Sequence, residues 1–190
     1  MNFDFFLNIN FFDTNLCNVF SENNFNLHFN SYYLNNLKIL ESKFFNNKDI
    51  INNINNGYGE IYYRSSQIYN HYFFFNSVLK KNSSYPNDFI LNNINKYFLS
   101  YDNFKKIFFN LNDINNPASF IWLCRNEYGE LTLYKSFGAE SLLRSGKTPI
   151  FCLDISEHCY YLDYKSDCEK YYNIFFNNIN WEFVEKNLLL

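Results

Sequence analysis

The run PIFCLDISEHCYYLDY, residues 149–164, decides how the rest of the chain is read. Its first part, PIFCLDI (149–155), is a compact apolar stretch after a polar loop and reads as a buried strand. From Glu157 the spacing becomes helical, carried by Tyr160, Tyr161 and Tyr164. Asp154 therefore stands at a strand exit, with His158 four residues beyond it in the following helix. Taken singly, an Asp in that place is most often a helix N-cap, and a lone His is most often a core residue satisfied by a hydrogen bond.

Upstream, FIWLCR (120–125) and ELTLYK (130–135) flank the Gly-containing turn NEYG and read as a β-hairpin. Before Pro117 the signals are helical. Ser21 is a plausible N-cap with Glu22 in the first turn, and Phe25, His28, Phe29, Tyr32, Leu37, Leu40 and Phe44 recur at helical spacing. Asn46 to Gly59 reads as a polar loop, and Ile61, Ile68, His71, Tyr72, Phe75 and Val78 mark a second helix. KKNSSYP (80–86) reads as a turn, and residues 87–112 as one or two helices anchored by Phe89, Ile94, Phe98, Phe104 and Phe108. Helical spacing returns over 157–187, through Phe175, Trp181 and Phe183. A helical first half thus precedes a mixed second half with a small antiparallel sheet.

A length of 190 residues suits one domain or two small halves sharing a core. Charged residues make up 18% and the net charge is −3, which leaves no long basic surface for nucleic acid. No apolar run reaches the roughly 18 to 20 residues of a membrane span. The chain holds 35 Asn and 24 Phe but only two Ala, Ala118 and Ala139. Such helices are weak in propensity and must be held by aromatic burial. Five cysteines (Cys17, Cys124, Cys152, Cys159 and Cys168) form no CxxC pair and suit a reducing compartment. The first twelve residues lack a basic start and a cleavage site, so the cytoplasm is expected, or an organelle if a presequence is missing.

There are three histidines: His28 and His71 on the inward sides of the first two helices, and His158 just past Asp154. Two antiparallel helices can bring inward imidazoles together, and the Asp154-x-x-x-His158 corner can close the group from below. Three imidazoles and one carboxylate suit iron, manganese or zinc, with a position left for water. Gln67, four residues before His71 on the same helical side, could hydrogen-bond a metal-bound solvent.

The 154–164 run, Asp-Ile-Ser-Glu-His-Cys-Tyr-Tyr-Leu-Asp-Tyr, resembles the Asp-x-Trp-Glu-His-Ala-Tyr-Tyr-x-Asp-Tyr signature of the iron/manganese superoxide dismutase family. NWEFVEKNL (180–188) is similar to that family's terminal helix, Gln67-Ile68-Tyr69-Asn70-His71 to its Gln-x-x-Asn-His element, and SENNFNLHF (21–29) to its entry into the first ligand helix. The resemblance implies an α+β fold: an N-terminal α-helical hairpin over 1–85, then an α/β half over 86–190 with a three-stranded antiparallel sheet. It implies one iron per chain, with manganese less expected, held by His28, His71, Asp154 and His158. It implies conversion of superoxide to dioxygen and hydrogen peroxide. Gln67 lies on the second helix as in iron-type members, and Ala139 occupies the spot where manganese-type members carry that Gln. A homodimer is implied too, with Glu157 and His158 of opposite subunits paired and Tyr161 beside them.

The departures from the family pattern are specific. The family's gateway Tyr aligns with Asn36 and its gateway His with Tyr32, which makes Gln67, Tyr32 and Asn36 the expected catalytic neighbours of the metal. An alignment shifted by one turn would put Tyr33 at the gateway but Phe25 at the first ligand position. Three Trp positions hold Phe75, Phe120 and Ser156, and at Ser156 an open hole with an exposed hydroxyl is expected.

Overall fold

Ser21 starts the first long helix as its position predicts: its Oγ accepts the Asn24 N–H at 3.2 Å, with Glu22 in the first turn. The structure, a computed structural model, describes residues 18–44, 49–78, 85–111 and 118–190. The first helix runs continuously as α1 (Glu22–His28), a π-helical segment (Phe29–Leu34) and α2 (Asn35–Lys43). A π-helical turn holds one more residue than an α-turn, so the side chains of α2 are rotated relative to those of α1. The expected turn at 80–86 falls largely outside the described residues, as do Cys17, Pro117 and the first twelve residues.

The expected polar loop over 46–59 is corrected by a short helix, α3 (Ile50–Asn56). Asp49 caps it by accepting the Asn52 N–H at 3.1 Å, and Ile50, Asn53 and Ile54 are buried. The four Asn of that segment masked it, because their low propensity is outweighed by burial of two isoleucines on one side. α4 (Gly59–Val78) follows and is buried on most sides from Ser65 onward.

Two helices, α5 (Asp88–Phe98) and α6 (Tyr101–Asn110), occupy the expected region, capped by Asn87 and Ser100. Ile94, Phe98, Phe104 and Phe108 are buried as expected, whereas Phe89 is 40% exposed. The buried stripe of α5 runs through Ile90, Ile94 and Phe98, and Phe89 sits one residue off it.

The sheet has strands β1 (Phe120–Arg125), β2 (Leu131–Ser136) and β3 (Thr148–Asp154) in the order β2-β1-β3, antiparallel throughout. In the hairpin turn, Asn126 Oδ1 accepts the N–H groups of Tyr128 and Glu130, and Gly129 takes the positive φ of 78° that the turn requires. In β3, Phe120 pairs with Asp154, and a register shift beside Cys124 accommodates Pro149, which has no N–H to give the ladder. The chain closes with α7 (Glu157–Tyr164), α8 (Cys168–Asn177) and α9 (Trp181–Leu188), completing the expected α+β architecture.

One hydrophobic cluster joins the helical half to the sheet half. Phe151 of β3 lies among Phe104, Phe108, Phe175 and Trp181, stacked on Phe108 at 5.9 Å. Ser77 of α4 accepts the Cys152 N–H at 3.1 Å and donates to the Phe73 carbonyl at 2.7 Å. That bond sets α4 against β3, and so sets His71 relative to the end of β3. If aromatic burial holds these Asn-rich helices, Phe151→Ala should destabilise the fold by about 3 to 5 kcal/mol. Urea unfolding would measure it, and a loss below about 1 kcal/mol would refute that account.

Candidate metal centre

His28 ends α1, His71 lies on α4, Asp154 ends β3 and His158 is the second residue of α7. One donor atom from each lies within 4.8 Å of all the others. Asp154 Oδ2 is 3.2 Å from His28 Nε2, 3.5 Å from His158 Nε2 and 3.7 Å from His71 Nε2. Donor atoms that share one ion at about 2.1 Å stand about 3 to 4 Å apart, so the spacing fits a single metal. These same four atoms are buried without a hydrogen-bond partner. Four adjacent orphaned donors are costly unless something cationic sits among them. The residues therefore fit a metal of the kind the donor set implies.

Neighbouring hydrogen bonds aim the donors. His71 Nδ1 lies 2.7 Å from the Gln67 carbonyl, which can only accept, so Nδ1 carries the proton and Nε2 presents its lone pair to the cluster. Asp154 Oδ1 accepts the Ser156 N–H at 2.9 Å, which leaves Oδ2 facing the imidazoles. Tyr171 donates to the Asp154 carbonyl at 2.8 Å and pins the end of the strand.

Burial alone would raise the Asp154 carboxyl, but His158 and His28 beside it hold it well below the usual carboxylate range. Burial pushes His71 down to about 3, helped by His28 and opposed by Asp154, and burial likewise lowers His28. Asp154 is thus a carboxylate and the His28 and His71 rings are neutral, the protonation state in which they can bind a metal.

Phe75 packs on His28 at 5.2 Å and Phe120 meets His71 edge-on at 5.5 Å, so two of the three expected Trp replacements keep an aromatic wall. Ser156 is half-buried, and its hydroxyl, expected to be exposed, lies 3.5 Å from the Ser119 carbonyl. Tyr32 stacks on His158 at 3.8 Å and lies nearly parallel to His71 at 5.7 Å. Burial, then the Asp154 charge, raises its phenol. Outside it opens a cleft of about 370 Å³ lined by Leu27, Ser31, Glu157, His158 and Tyr161.

Asn36 is buried with its amide engaged at both ends: Nδ2 donates to the Tyr32 carbonyl and Oδ1 accepts from Arg64 at 2.9 Å. Arg64 in turn pairs with Glu60 at 3.3 Å. Gln67 is buried one helical turn before His71, its Oε1 without a partner. Phe25 stacks on Phe29 at 5.6 Å and Tyr33 on Phe29 at 5.3 Å, and the ring that stands in the cluster is His28. Sequence reasoning missed Arg64 and Tyr171. No motif marks either, and Tyr171 reaches Asp154 across 17 residues.

A helical hairpin set on a three-stranded antiparallel sheet, with three His and one Asp converging between them, defines a protein class built around one candidate metal position. Residues 86–187 match the family model of the iron/manganese superoxide dismutases, C-terminal domain. A Coxiella burnetii protein named as an iron superoxide dismutase is 30% identical, covering 82% of this chain and 81% of its own length. One from Escherichia coli K12 is 28% identical over 88% and 86%, and one from Plasmodium falciparum 3D7 is 30% identical over 88% and 87%. The chain belongs to the iron/manganese superoxide dismutase family.

The metal-free protein should lose stability as pH falls from 7 to 5. Unfolded His71, with a pKa near 6.5, takes up a proton that the folded ring refuses down to about pH 3. His71 alone should contribute a loss of about 2 kcal/mol, read from urea midpoints at the two pH values. Constant or rising stability over that range would contradict the buried, neutral ring.

Proposed function

We propose that this chain is an iron superoxide dismutase, converting two superoxide ions and two protons to dioxygen and hydrogen peroxide. The observation that carries the reading is the set of four converging, buried and partnerless donor atoms. Bound iron, one per chain, would supply the redox step, alternating between its +3 and +2 states. His28, His71, Asp154 and His158 would hold it. Iron is favoured over manganese because Gln67 stands on α4 while position 139 is Ala139, and because the relatives are named for iron.

The remaining roles belong to the chain's own groups. The buried Gln67 amide, one turn from His71 and with its Oε1 unpartnered, would hydrogen-bond a small molecule held beside the metal. The Tyr32 ring would screen the cluster from the cleft and admit only a small anion, with its phenol placed to hand over a proton. Asn36 would act through Tyr32, by fixing its backbone carbonyl, rather than deliver a proton itself. The net charge of −3 is no barrier to an anionic substrate, because the local field of a buried cation outweighs distant screened charges.

A homodimer forms part of the proposal. Leu27 and Tyr161 are 50% and 53% exposed beside the cleft where Glu157 and His158 surface. Glu157 of each subunit would pair with His158 of the other, covering that apolar rim. We also place the division of the chain at 85/86 and the protein in the cytoplasm. The four described cysteines are free, and no helix among the described residues is long and apolar enough to cross a membrane.

The test is metal content and superoxide turnover on one iron-reconstituted sample. Iron near one per chain with fast turnover is expected, and His71→Ala should lose the iron. Iron retained in that variant would refute the ligand set. Iron bound with little turnover would favour a metal-binding, catalytically impaired relative, which the Asn36 replacement makes the specific rival.

A further inference from the structure

Cys159 stands where the family signature has Ala, directly after the ligand His158, and its thiol is not idle. Its Sγ lies 3.1 Å from the Tyr171 hydroxyl. Tyr171 has one hydroxyl proton, and it is given to the Asp154 carbonyl, which can only accept. The S–H of Cys159 is therefore the donor to the Tyr171 oxygen. A second pair repeats the pattern. Cys168 donates its S–H to the Tyr160 hydroxyl at 3.2 Å, and the rings of Tyr160 and Tyr171 stack at 5.2 Å, 21° from parallel. Tyr171 and Cys159 are fully buried, Tyr160 is nearly so, and Cys168 is half-exposed. Two tyrosines, each accepting from a thiol, thus lead from the backbone of a candidate ligand to the protein surface.

We propose that these two pairs form a relay that carries oxidising equivalents from the metal centre to Cys168. The proposal rests on the iron reading above, and the oxidant is hydrogen peroxide, the product of that activity. Peroxide reduced at the centre takes up two electrons and two protons and gives two waters. Each electron leaves Tyr171 while its hydroxyl proton shifts along the bond to the Asp154 carbonyl and returns. Tyr160 refills Tyr171 through the stacked rings and releases its own proton to solvent. Cys168 then passes the hydrogen atom of its S–H to the Tyr160 oxygen and restores the phenol. The resulting sulfur radical gives up a second electron by the same route and takes an oxygen from water, and the proton that water loses restores the Tyr160 phenol. The sum is thiol plus hydrogen peroxide to sulfenic acid plus water. Cys159 repairs Tyr171 in the same way when the outer pair is spent.

The test treats iron-loaded protein of measured iron content with hydrogen peroxide and a dione that traps sulfenic acid, then maps the adducts by mass spectrometry. In the wild type, labelling of Cys168 should exceed that of the iron-free protein at least fivefold. Tyr160→Phe keeps the ring but removes the hydroxyl, and should bring labelling down to the iron-free level. Cys168→Ser should instead lengthen the life of a tyrosyl radical seen by freeze-quench paramagnetic resonance. Equal Cys168 labelling with and without iron, or labelling unchanged in Tyr160→Phe, would mean direct attack on a half-exposed thiol and would overturn the relay while leaving the metal site standing. Failure to bind iron at all would overturn both.

Discussion

A carboxylate buried among three imidazoles is the constraint on which the rest of the molecule depends. An ionised Asp154 removed from water costs several kcal/mol unless its surroundings compensate. The neutral rings of His28 and His71 cannot supply a full positive charge. In the proposed holoprotein the cation does, and its binding energy becomes folding energy, because the ligands come from α1, α4, β3 and α7. The Ser77–Cys152 bond ties α4 to β3, and the Tyr171–Asp154 bond ties α8 to the end of β3, independently of the ion.

Aromatic packing carries the load that helix propensity cannot. Asn side chains serve instead as caps at Asn87 and Asn180, and as clasps that donate to the carbonyl four residues back at Asn76, Asn93 and Asn178. That second use softens the usual conflict between Asn and helix, since the amide binds the helix's own backbone rather than pulling the chain out of it.

The helices carrying His28 and His71, the hairpin and the Asp154–His158 corner were legible because each rests on periodicity or on a local cap. The helix over 50–56 was not, since its four Asn resemble a loop until Ile50 and Ile54 are seen buried together. Phe89 was misplaced for a related reason: helical spacing tolerates an error of one residue, whereas burial does not. Within the site, the converging residues could be named from sequence, but the use of Asn36 could not. Its environment depends on Arg64, 28 residues away, and on a backbone carbonyl, and neither leaves a trace in spacing.

The π-helical segment over Phe29–Leu34 has a geometric consequence of its own. One residue is worth about 100° of rotation about a helix axis, so an added residue lets two stretches of one rod face different neighbours. α1 can direct His28 at the sheet-end Asp154 while α2 turns Leu37 and Leu40 into the core. Removing a single residue between His28 and Asn35 would leave each stretch helical and its composition almost intact, yet would swing one face out of phase with the other. Chain length at this point is therefore a stricter requirement on the helix phase than side-chain identity is, and a deletion there disturbs that phase where a substitution does not.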